Sequence, residues 1–400
     1  MTDVTVVGGV YLERCVQPLW DAVYGSAGRA IHAIRSLTEG KLTLVAYVPE
    51  TLAGAAKYLA DTAGAELKAV AANEYVSFDY IHPLARPAIQ PVPSKIAQNP
   101  PIRVEGDVVL RYGMLEGDAI VDADVAVYDP QSAYGPQFFG ANGSQARRLA
   151  IVLNRAEAHA LTGENEPFEA AKAIRSREGA EVVVLKMGGK GAMVVDQHGH
   201  SQVPLYRTER VFKLGSGDVF SATFAALWGA RGLGHVEAAD LASRATAAYC
   251  SSRSLPVPQI DALRASSFAP LTPGSGLIYL AGPFFDLGQR WLVDEARATL
   301  KNLGAEVFSP VHEVGPGPAS IVAPEDIAGL ERSDVVFAIL NGMDPGTIFE
   351  VGYAIKKGIP VVALAQNIKE EDLKMFAGTG CDISDDFVSA AYRAIWKLPA

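Results

Sequence analysis

Short apolar runs separated by helical segments organise the middle of the chain. Residues 125–128, 149–153 and 182–185 are continuous apolar runs, and each is followed within two residues by a polar residue or a glycine pair. A run that is apolar on both faces predicts a buried parallel strand. Strands that alternate with helical segments predict a parallel α/β sheet.

The N-terminal part fits the same pattern, with one exception. Residues 4–7 and 42–48 read as strands, and residues 25–37 read as a helix that follows a Gly/Ser turn. Between residues 81 and 111 the sequence is Pro-rich and strand-like, without a long helical pattern. Prolines at strand edges predict a small β lid there rather than a βα unit.

A Pro/Gly/Ser-rich segment, residues 266–276, predicts a linker between two domains. We therefore predict a first domain over residues 1–265 and a second over residues 277–400. The second domain shows a new series of strands that alternate with helices, the strands being residues 277–280, 306–308, 335–340 and 359–364 and the helices residues 288–303, 324–332 and 385–396. This series predicts a compact flavodoxin-like or Rossmann-like sheet.

Composition narrows the class of protein. The chain has 400 residues, of which 49% are hydrophobic and 20% charged, and its net charge is −10. A negative chain argues against nucleic acid or an anionic membrane as a partner, because phosphate affinity comes from clustered Lys and Arg. The three cysteines are far apart, and no 18-residue apolar run or basic leader is present. We expect a cytoplasmic protein whose partners are small molecules.

Candidate chemistry in the second domain lies in a strand–turn–helix stretch, residues 335–358. Ligands bind at the carboxyl ends of the strands of open α/β sheets, where this turn places Asp344 and, further along the helix, Glu350. Two carboxylates would then face one crevice. The same spacing also fits a helix cap, in which Thr347 is the N-cap and Glu350 completes a capping box. Spacing alone favours neither interpretation.

Two motifs in this half, residues 279–285 (YLAGPFF) and 344–354 (DPGTIFEVGYA), resemble the nucleoside 2-deoxyribosyltransferase family over about residues 276–400. The resemblance implies that Glu350 attacks the anomeric carbon of a nucleoside and that Tyr279 orients its carboxylate. It also implies a base-side Asp326, an Asp344 near the sugar hydroxyls, no cofactor and a homo-oligomer. The substrate-binding residues that it implies are Gly282, Pro283, Phe284, Gly346 and Thr347.

The chemistry explains why carboxylates are needed. Cleavage of an N-glycosidic bond passes through an oxocarbenium-like state, which a glutamate can capture as a covalent intermediate. The departing base needs a proton, so a carboxylic acid with a raised pKa is expected beside it, and Asp326 matches that place. Asp326 also fits a second interpretation, as an acid in the first turn of a helix that the macrodipole favours.

Candidate chemistry in the first domain lies at residues 213–218 (KLGSGD), which open an apolar helix. Small residues before a helix N-terminus bring backbone N–H groups close to an anion. Asp218 could accept a proton from a hydroxyl nucleophile. Alternatively, an aspartate after a glycine is an ordinary helix N-cap.

The surrounding motifs, residues 129–130 (DP), 154–157 (NRAE), 161–163 (LTG) and 186–191 (KMGGKG), resemble the ribokinase, or PfkB carbohydrate kinase, family over about residues 1–265. The resemblance implies that Asp218 is the catalytic base, that ATP and Mg are cofactors, and that Asn154 and Glu157 organise the Mg-bound phosphates. The phosphate-binding residues that it implies are Gly215, Ser216, Gly217, Lys186 and Gly188.

The acceptor half of this domain departs from that family. Glu13 stands where the family usually has an aspartate, and Arg29 stands where it has the asparagine of Gly-Gly-x-x-x-Asn. Lys186 stands where the family has a threonine, and it could contact a nucleotide phosphate or simply be solvated. Arg29 could bind a phosphate or carboxylate on the acceptor, since guanidinium groups pair bidentately with both. It could equally lie on an exposed helix face.

The sequence as a whole predicts a bifunctional enzyme of nucleoside or nucleotide metabolism. The second domain would cleave or transfer an N-glycosidic bond through Glu350, and the first would be an ATP-dependent sugar or nucleoside kinase. The alternative is an N-glycosidase whose ribokinase-like domain is a silent module that binds a nucleotide or holds an oligomer together.

Overall fold

The computed structural model describes residues 2–399. The chain forms two compact units: unit 1 comprises residues 2–208 and 212–270, and unit 2 comprises residues 209–211 and 271–399. Each unit has its own sheets and its own buried core.

Unit 1 is built mainly on strands. The strands are β1 (Val4–Val7), β2 (Leu12–Cys15), β3 (Trp20–Val23), β4 (Leu42–Pro49), β5 (Glu66–Ala72), β6 (Ser77–Tyr80), β7 (Ala88–Gln90), β8 (Ile102–Tyr112), β9 (Ala119–Asp129), β10 (Gln145–Asn154), β11 (Val182–Lys186), β12 (Ala192–Asp196), β13 (Gly199–Val203) and β14 (Leu205–Tyr206). Nine of them form one sheet in the order β13-β12-β11-β10-β9-β8-β1-β4-β5. All neighbours from β11 to β5 are parallel, and β12 and β13 are antiparallel.

The helices of unit 1 cover both faces of the large sheet. They are α1 (Gly25–Ala33), α2 (Ala53–Ala63), α3 (Arg155–Thr162), α4 (Pro167–Glu178), α5 (Ser216–Phe224), α6 (His235–Ser252) and α7 (Ile260–Arg264). A π-helical segment, Ala225–Ala230, continues α5, and short 3-10 helices lie at Ile34–Ser36, Glu50–Leu52, Pro93–Lys95, Phe139–Asn142 and Gly188–Lys190.

Strand β4 shows why the sheet needs two layers of helices. All eight of its residues are buried. Leu44 and Ala46 pack in one core with α1, α2, α5 and α6, while Val45 and Tyr47 pack in a second core with α3 and α4. Successive side chains of a strand point to opposite faces, so a continuous apolar run requires a cover on each side.

A second, four-stranded sheet lies in unit 1, in the order β3-β2-β6-β7. The predicted lid was placed at residues 81–111, and this placement is wrong in part. Only β7 of that segment belongs to the small sheet, and β8 is a central strand of the large sheet. The prolines end at Pro101, and the following residues include the buried Val108, Val109 and Leu110, which fit a central strand.

Unit 2 contains one sheet of five strands. The strands that follow unit 1 are β15 (Pro270–Leu271), β16 (Leu277–Ala281), β17 (Glu306–Phe308), β18 (Val335–Ile339), β19 (Val361–Leu364) and β20 (Asp382–Ser384). The last five form an all-parallel sheet in the order β17-β16-β18-β19-β20. The helices are α8 (Leu287–Asn302), α9 (Pro310–Glu313), α10 (Ala319–Glu331), α11 (Pro345–Lys357), α12 (Glu370–Gly378) and α13 (Phe387–Trp396).

The predicted start of α10 at Pro324 is wrong. The helix begins at Ala319, and Pro324 lies inside it. Proline is favoured in the first turn of a helix, and that preference suggested the wrong start, because Pro318 six residues earlier is the N-cap. Asp326 is therefore in the second half of the helix, and its interpretation as a first-turn acid is also wrong.

The predicted fold class is confirmed. Unit 1 combines a large, mainly parallel sheet with a small sheet, and unit 2 is a separate all-parallel α/β sheet. None of the helices described in residues 2–399 is long and apolar enough to cross a membrane.

Candidate functional sites

The candidate site of unit 2 lies where strands β16, β18 and β19 end. The loops that follow neighbouring parallel strands lie side by side at one edge of the sheet. Hydrogen bonds join two of these loops. Asn341, after β18, accepts a hydrogen bond from the backbone N–H of Gln366 at 2.8 Å, and its amide donates to the Gln366 side chain at 3.1 Å. The sequence analysis missed this pair, although both polar residues follow buried strands.

Helix α11 starts at this edge with Asp344 as its N-cap. The Asp344 carboxylate accepts hydrogen bonds from the backbone N–H of Thr347 at 2.8 Å and from the Thr347 hydroxyl at 3.1 Å. The predicted capping box of Thr347 with Glu350 is therefore wrong. Pro345 occupies the first helical position, which shifts the N-cap back to Asp344 and leaves Glu350 outside the cap.

Glu350 instead points to strand β16. The Tyr279 hydroxyl donates a hydrogen bond to Glu350 Oε1 at 2.6 Å. Tyr279 is fully buried in the strand, and its ring stacks on Phe308 of β17 with the ring centroids 5.5 Å apart. Because its ring is fully buried and stacked on Phe308, Tyr279 holds the carboxylate in one orientation.

The electrostatics at Glu350 are unusual for a glutamate. Burial raises the pKa of Glu350 to about 7, the hydrogen bond from Tyr279 lowers it, and the charges of Asp326 and Asp344 add to the increase. Burial and the charge of Glu350 likewise raise the pKa of Tyr279, so the phenol keeps its proton. A glutamate with this pKa is ionised in about half of the molecules at neutral pH.

Asp326 approaches the same place from helix α10. Its Oδ1 atom is buried and has no hydrogen-bond partner among residues 2–399. Burial raises the pKa of Asp326, and the neighbouring Glu325 adds to the increase. An unpaired carboxylate oxygen away from water favours the protonated form relative to a solvated aspartate, and the protonated form can itself donate.

The remaining predicted residues lie directly after β16 and in the first turn of α11. Gly282 and Pro283 follow strand β16 directly, and the side chain of Phe284 is 39% exposed. A side chain at Gly282 would meet Ile339 of β18 at 3.1 Å, so the glycine lets the two strand ends approach. Gly346 lies beside the Asp344 carboxylate in the first turn of α11.

The candidate site of unit 1 lies at the start of helix α5. Gly215 is the N-cap with a φ of 70°, and Asp218 is the third residue of the helix. The interpretation of Asp218 as the N-cap is therefore wrong. The Asp218 side chain is nearly buried, and its Oδ1 accepts a hydrogen bond from Gln131 at 2.7 Å.

Arg29 fills the space beside Asp218. Its side chain is 1% exposed, so its interpretation as a residue on an exposed helix face is wrong. Nη1 of Arg29 lies 3.0 Å from Asp218 Oδ2 and 3.0 Å from Glu13 Oε1, and Nη2 pairs with Glu13 Oε2. Nε donates to the Tyr249 hydroxyl at 3.2 Å. All three guanidinium nitrogens thus bind groups of the protein itself.

The pKa of Arg29 reflects this environment. Burial alone would lower it, but the carboxylates of Glu13 and Asp218 raise it above the ordinary value. Arg29 therefore stays charged and serves as the counter-ion of two carboxylates. The sequence identified Glu13, Arg29 and Asp218 as site residues but could not show that they neutralise one another.

A second ion pair lies on the other side of the α5 N-terminus. Lys186 Nζ is 2.6 Å from Asp129 Oδ2, and the Ser221 hydroxyl donates to the same oxygen at 2.6 Å. Lys186 also lies next to Gly217, where an added Cβ would be 3.6 Å from its Nζ. The sequence analysis did not single out Asp129 as a partner of Lys186.

Asn154 and Glu157 are engaged with each other's backbone. Asn154 Oδ1 accepts from the backbone N–H of Glu157 at 2.9 Å, and Glu157 Oε2 accepts from that of Asn154 at 2.7 Å. Burial raises the pKa of Glu157 to about 7, and the charge of Asp129 adds to the increase. This reciprocal capping box stabilises the start of α3. Gly188 lies in a short 3-10 turn with a φ of 61°.

The arrangement around Asp218 does not fit phosphoryl transfer from ATP. The transfer needs a carboxylate that is free to accept the proton of the acceptor hydroxyl. Here Asp218 is the counter-ion of Arg29. Asp129 pairs with Lys186 through Oδ2, whereas its buried Oδ1 has no hydrogen-bond partner among residues 2–399, so this carboxylate is only partly compensated.

Family models match both halves of the chain. Residues 149–260 match the model of the pfkB family carbohydrate kinases, and residues 278–383 match the model of nucleoside 2-deoxyribosyltransferase. Both resemblances inferred from the motifs are confirmed. A search of curated protein sequences found no match to the chain.

Solved structures with some similarity to the chain include three related proteins. The ribokinase of Thermotoga maritima is 16% identical with a TM-score of 0.49, and the match covers 66% of this chain and 99% of that one. The Arabidopsis thaliana ribokinase complexed with ribose and ATP is 17% identical with a TM-score of 0.48, and the match covers 64% and 96% of the two chains. A PfkB protein from Polaromonas sp. JS666 is 14% identical with a TM-score of 0.46, and the match covers 66% and 100%.

Proposed function

We propose that this chain, which joins a pfkB carbohydrate kinase region to a nucleoside 2-deoxyribosyltransferase region, cleaves or transfers the N-glycosidic bond of a nucleoside or nucleotide in unit 2. The observation that carries the proposal is the partly buried Tyr279–Glu350 hydrogen bond of 2.6 Å, beside the carboxyl groups of Asp326 and Asp344. A carboxylate held in this way is suited to attack an electrophilic carbon.

The first half of the proposed reaction forms a covalent intermediate. Glu350 attacks the anomeric carbon, and the bond between that carbon and the nucleobase nitrogen breaks, with its electron pair passing to the base. The protonated Asp326 carboxyl group donates a proton to the departing base, which leaves as a neutral molecule. Tyr279 stays protonated and keeps Glu350 Oε1 in place, so that the second oxygen, Oε2, is the attacking atom.

The second half releases the sugar. A nitrogen of an incoming base, or a water molecule, attacks the anomeric carbon, and the bond to Glu350 breaks. Asp326, now ionised, accepts the proton of the incoming group, because the acid of the first half is the base of the second. Transfer and hydrolysis therefore use the same residues.

Asp344 and the residues after β16 are proposed to hold the substrate. Asp344 Oδ2 caps helix α11, which fixes the carboxylate at the strand edge near Glu350. An anchored carboxylate can accept hydrogen bonds from sugar hydroxyls, and the exposed ring of Phe284 offers an apolar surface for a nucleobase.

Base release by the intact protein tests this proposal. Nucleosides and their 5′-monophosphates, in ribo and 2′-deoxy forms, are incubated with and without a second base, and free base is measured by chromatography. Release that needs the second base identifies a transferase, and release without it identifies a hydrolase. If a folded protein released no base from any of these compounds, the proposal would be wrong.

The resemblance also implies a homo-oligomer, and the aromatic side chains beside the site are compatible with one. Phe285 is 72% exposed and Phe349 is 62% exposed. Covering large exposed aromatic side chains with another protein surface is favourable, because it removes apolar area from water. Sedimentation at the assay concentration tests this implication, and a fully active monomer would contradict it.

A further inference from the structure

We propose that unit 1 does not transfer phosphoryl groups, because Arg29 occupies the place of the acceptor hydroxyl and keeps Asp218 in a permanent ion pair. A general base must lie within hydrogen-bond reach of the proton that it removes. Both oxygens of Asp218 already accept hydrogen bonds, Oδ2 from Arg29 at 3.0 Å and Oδ1 from Gln131 at 2.7 Å. Each oxygen keeps a further lone pair, but a hydroxyl group that approached Oδ2 would have to share it with the buried guanidinium of Arg29.

Displacement of Arg29 by a substrate would be costly. The guanidinium is buried, and its counter-charges are Glu13 and Asp218. If Asp218 accepted a proton from a hydroxyl group, Arg29 would lose one of these charges in a low-dielectric environment. If Arg29 moved away, two carboxylates would remain in a nearly buried position without a cation.

The backbone around Arg29 is also adapted to it. Gly215 has a φ of 70°, and a Cβ added to it would lie 2.1 Å from Arg29 Nε. Gly215 is thus required for two reasons, because a side chain there would clash with Arg29 and because the backbone is left-handed. The Tyr249 hydroxyl accepts from Arg29 Nε and donates to the carbonyl of Leu214 at 2.9 Å, which ties the guanidinium to the same turn.

Lys186 compensates the neighbouring carboxylate of Asp129 only in part. Its ammonium group pairs with Asp129 Oδ2; burial alone would lower the pKa of Lys186, but the charges of Asp129 and Glu157 raise it. Asp129 Oδ1 is buried and has no hydrogen-bond partner among residues 2–399. The proposal therefore rests on Arg29, which pairs with the carboxylate that would act as the base.

A mutant cycle tests the ion pair without knowledge of any ligand. We expect Arg29→Met in the full chain to lower the melting temperature by about 10 °C, because it leaves two buried carboxylates unpaired. Adding Glu13→Gln and Asp218→Asn to Arg29→Met removes both unpaired charges and should recover at least half of this loss. If the triple variant is as unstable as Arg29→Met alone, Arg29 is not held by these carboxylates and the proposal fails.

The Arg14–Asp79 pair of the small sheet is a matched control. Arg14 Nε lies 2.7 Å from Asp79 Oδ1, but the two side chains are 46% and 37% exposed. Exposed pairs contribute little to stability. We expect Arg14→Met and the double variant Arg14→Met/Asp79→Asn to melt within about 2 °C of the wild type.

Phosphoryl transfer itself is measured as ADP formed from ATP and Mg. The intact protein is offered ribose, 2-deoxyribose and the common nucleosides, beside the Asp218→Asn variant. We expect equal, background amounts of ADP from both proteins with every acceptor. ADP that the wild type forms with any of these acceptors and that Asp218→Asn does not form would overturn the proposal.

Discussion

Both units place a carboxylate in the first half of a helix, but the two carboxylates have opposite partners. Glu350 of unit 2 is held by the neutral phenol of Tyr279, with the acidic Asp326 and Asp344 nearby. Asp218 of unit 1 is held by the buried guanidinium of Arg29. A neutral donor orients a carboxylate and leaves its basicity available, whereas a buried cation uses the carboxylate as its counter-ion.

If unit 1 does not transfer phosphoryl groups, as we propose, its motif persists without the chemistry of the family that it resembles. The Gly-Ser-Gly-Asp segment, residues 215–218, forms a helix N-terminus next to two cations. Its aspartate is part of a buried ion cluster with Glu13 and Arg29. In unit 2 the local charges instead work against the ionised form of Glu350, as expected of a reactive site.

The largest effect is expected for Glu350→Gln. Glutamine keeps the size of the side chain but cannot form the glycosyl ester, so base release should fall by about 10⁴-fold or more. The surface pair in which Tyr353 donates to Glu331 supplies the control, since Glu331→Gln removes a carboxylate that also accepts from a tyrosine. If the folded Glu350→Gln variant released base at a near wild-type rate, Glu350 would not be the nucleophile.

A smaller loss is expected for Asp326→Asn, which removes the proposed acid. Base release should fall by about 10²–10³-fold. With a substrate whose leaving base needs no proton, the fall in base release should be much smaller. This difference distinguishes a residue that acts as an acid from one with a structural role. Glu325→Gln changes the exposed neighbour and should have little effect. Equal losses for both kinds of substrate would argue against the acid role.

Tyr279→Phe should lower base release by about 10-fold and change its pH dependence. Activity of the wild type should rise as pH increases through about 7, because Glu350 must be ionised and its pKa is about 7. The hydrogen bond from Tyr279 lowers that pKa, so its loss should move the rise to higher pH. The control is Tyr353→Phe, and an unchanged pH profile in Tyr279→Phe would show that the phenol does not act on Glu350.

The smallest effect concerns stability and has opposite signs in the two units. The folded pKa of Glu350 lies above its value of 4.5 in the unfolded chain, so the stability that this group contributes is lost as pH rises from 4.5 through 7. At pH 8, Glu350→Gln should therefore raise the free energy of unfolding by about 1–2 kcal/mol. The gain should shrink at pH 5. If Glu350→Gln instead lowered the free energy of unfolding at pH 8, it would have the same sign as Arg29→Met, and the contrast between the two units would be wrong.

Much of unit 2 could be predicted from the sequence. Continuous apolar runs located strands β16 to β19 to within about two residues, and the motif residues Tyr279, Asp344 and Glu350 do meet at one sheet edge. The local pattern did not find the start of α10 or the N-cap of α11. In both places proline preferences allowed two starts, and only the hydrogen bonds distinguish them.

The sequence by itself determined the order of elements, the two family resemblances and the types of residue at each site. These depend on local periodicity and on motifs that span a few residues. It also identified Arg29 as a departure from the family that the first domain resembles, but two opposite interpretations of that residue were equally good.

Only the tertiary structure decided what Arg29 does. Its partners Glu13, Asp218 and Tyr249 are 16, 189 and 220 residues away in the chain, and they lie on three different elements. The pKa of Glu350 likewise depends on burial and on the distant Tyr279 and Asp326. The charge state of a group depends on everything packed around it, and the fold alone brings those groups together.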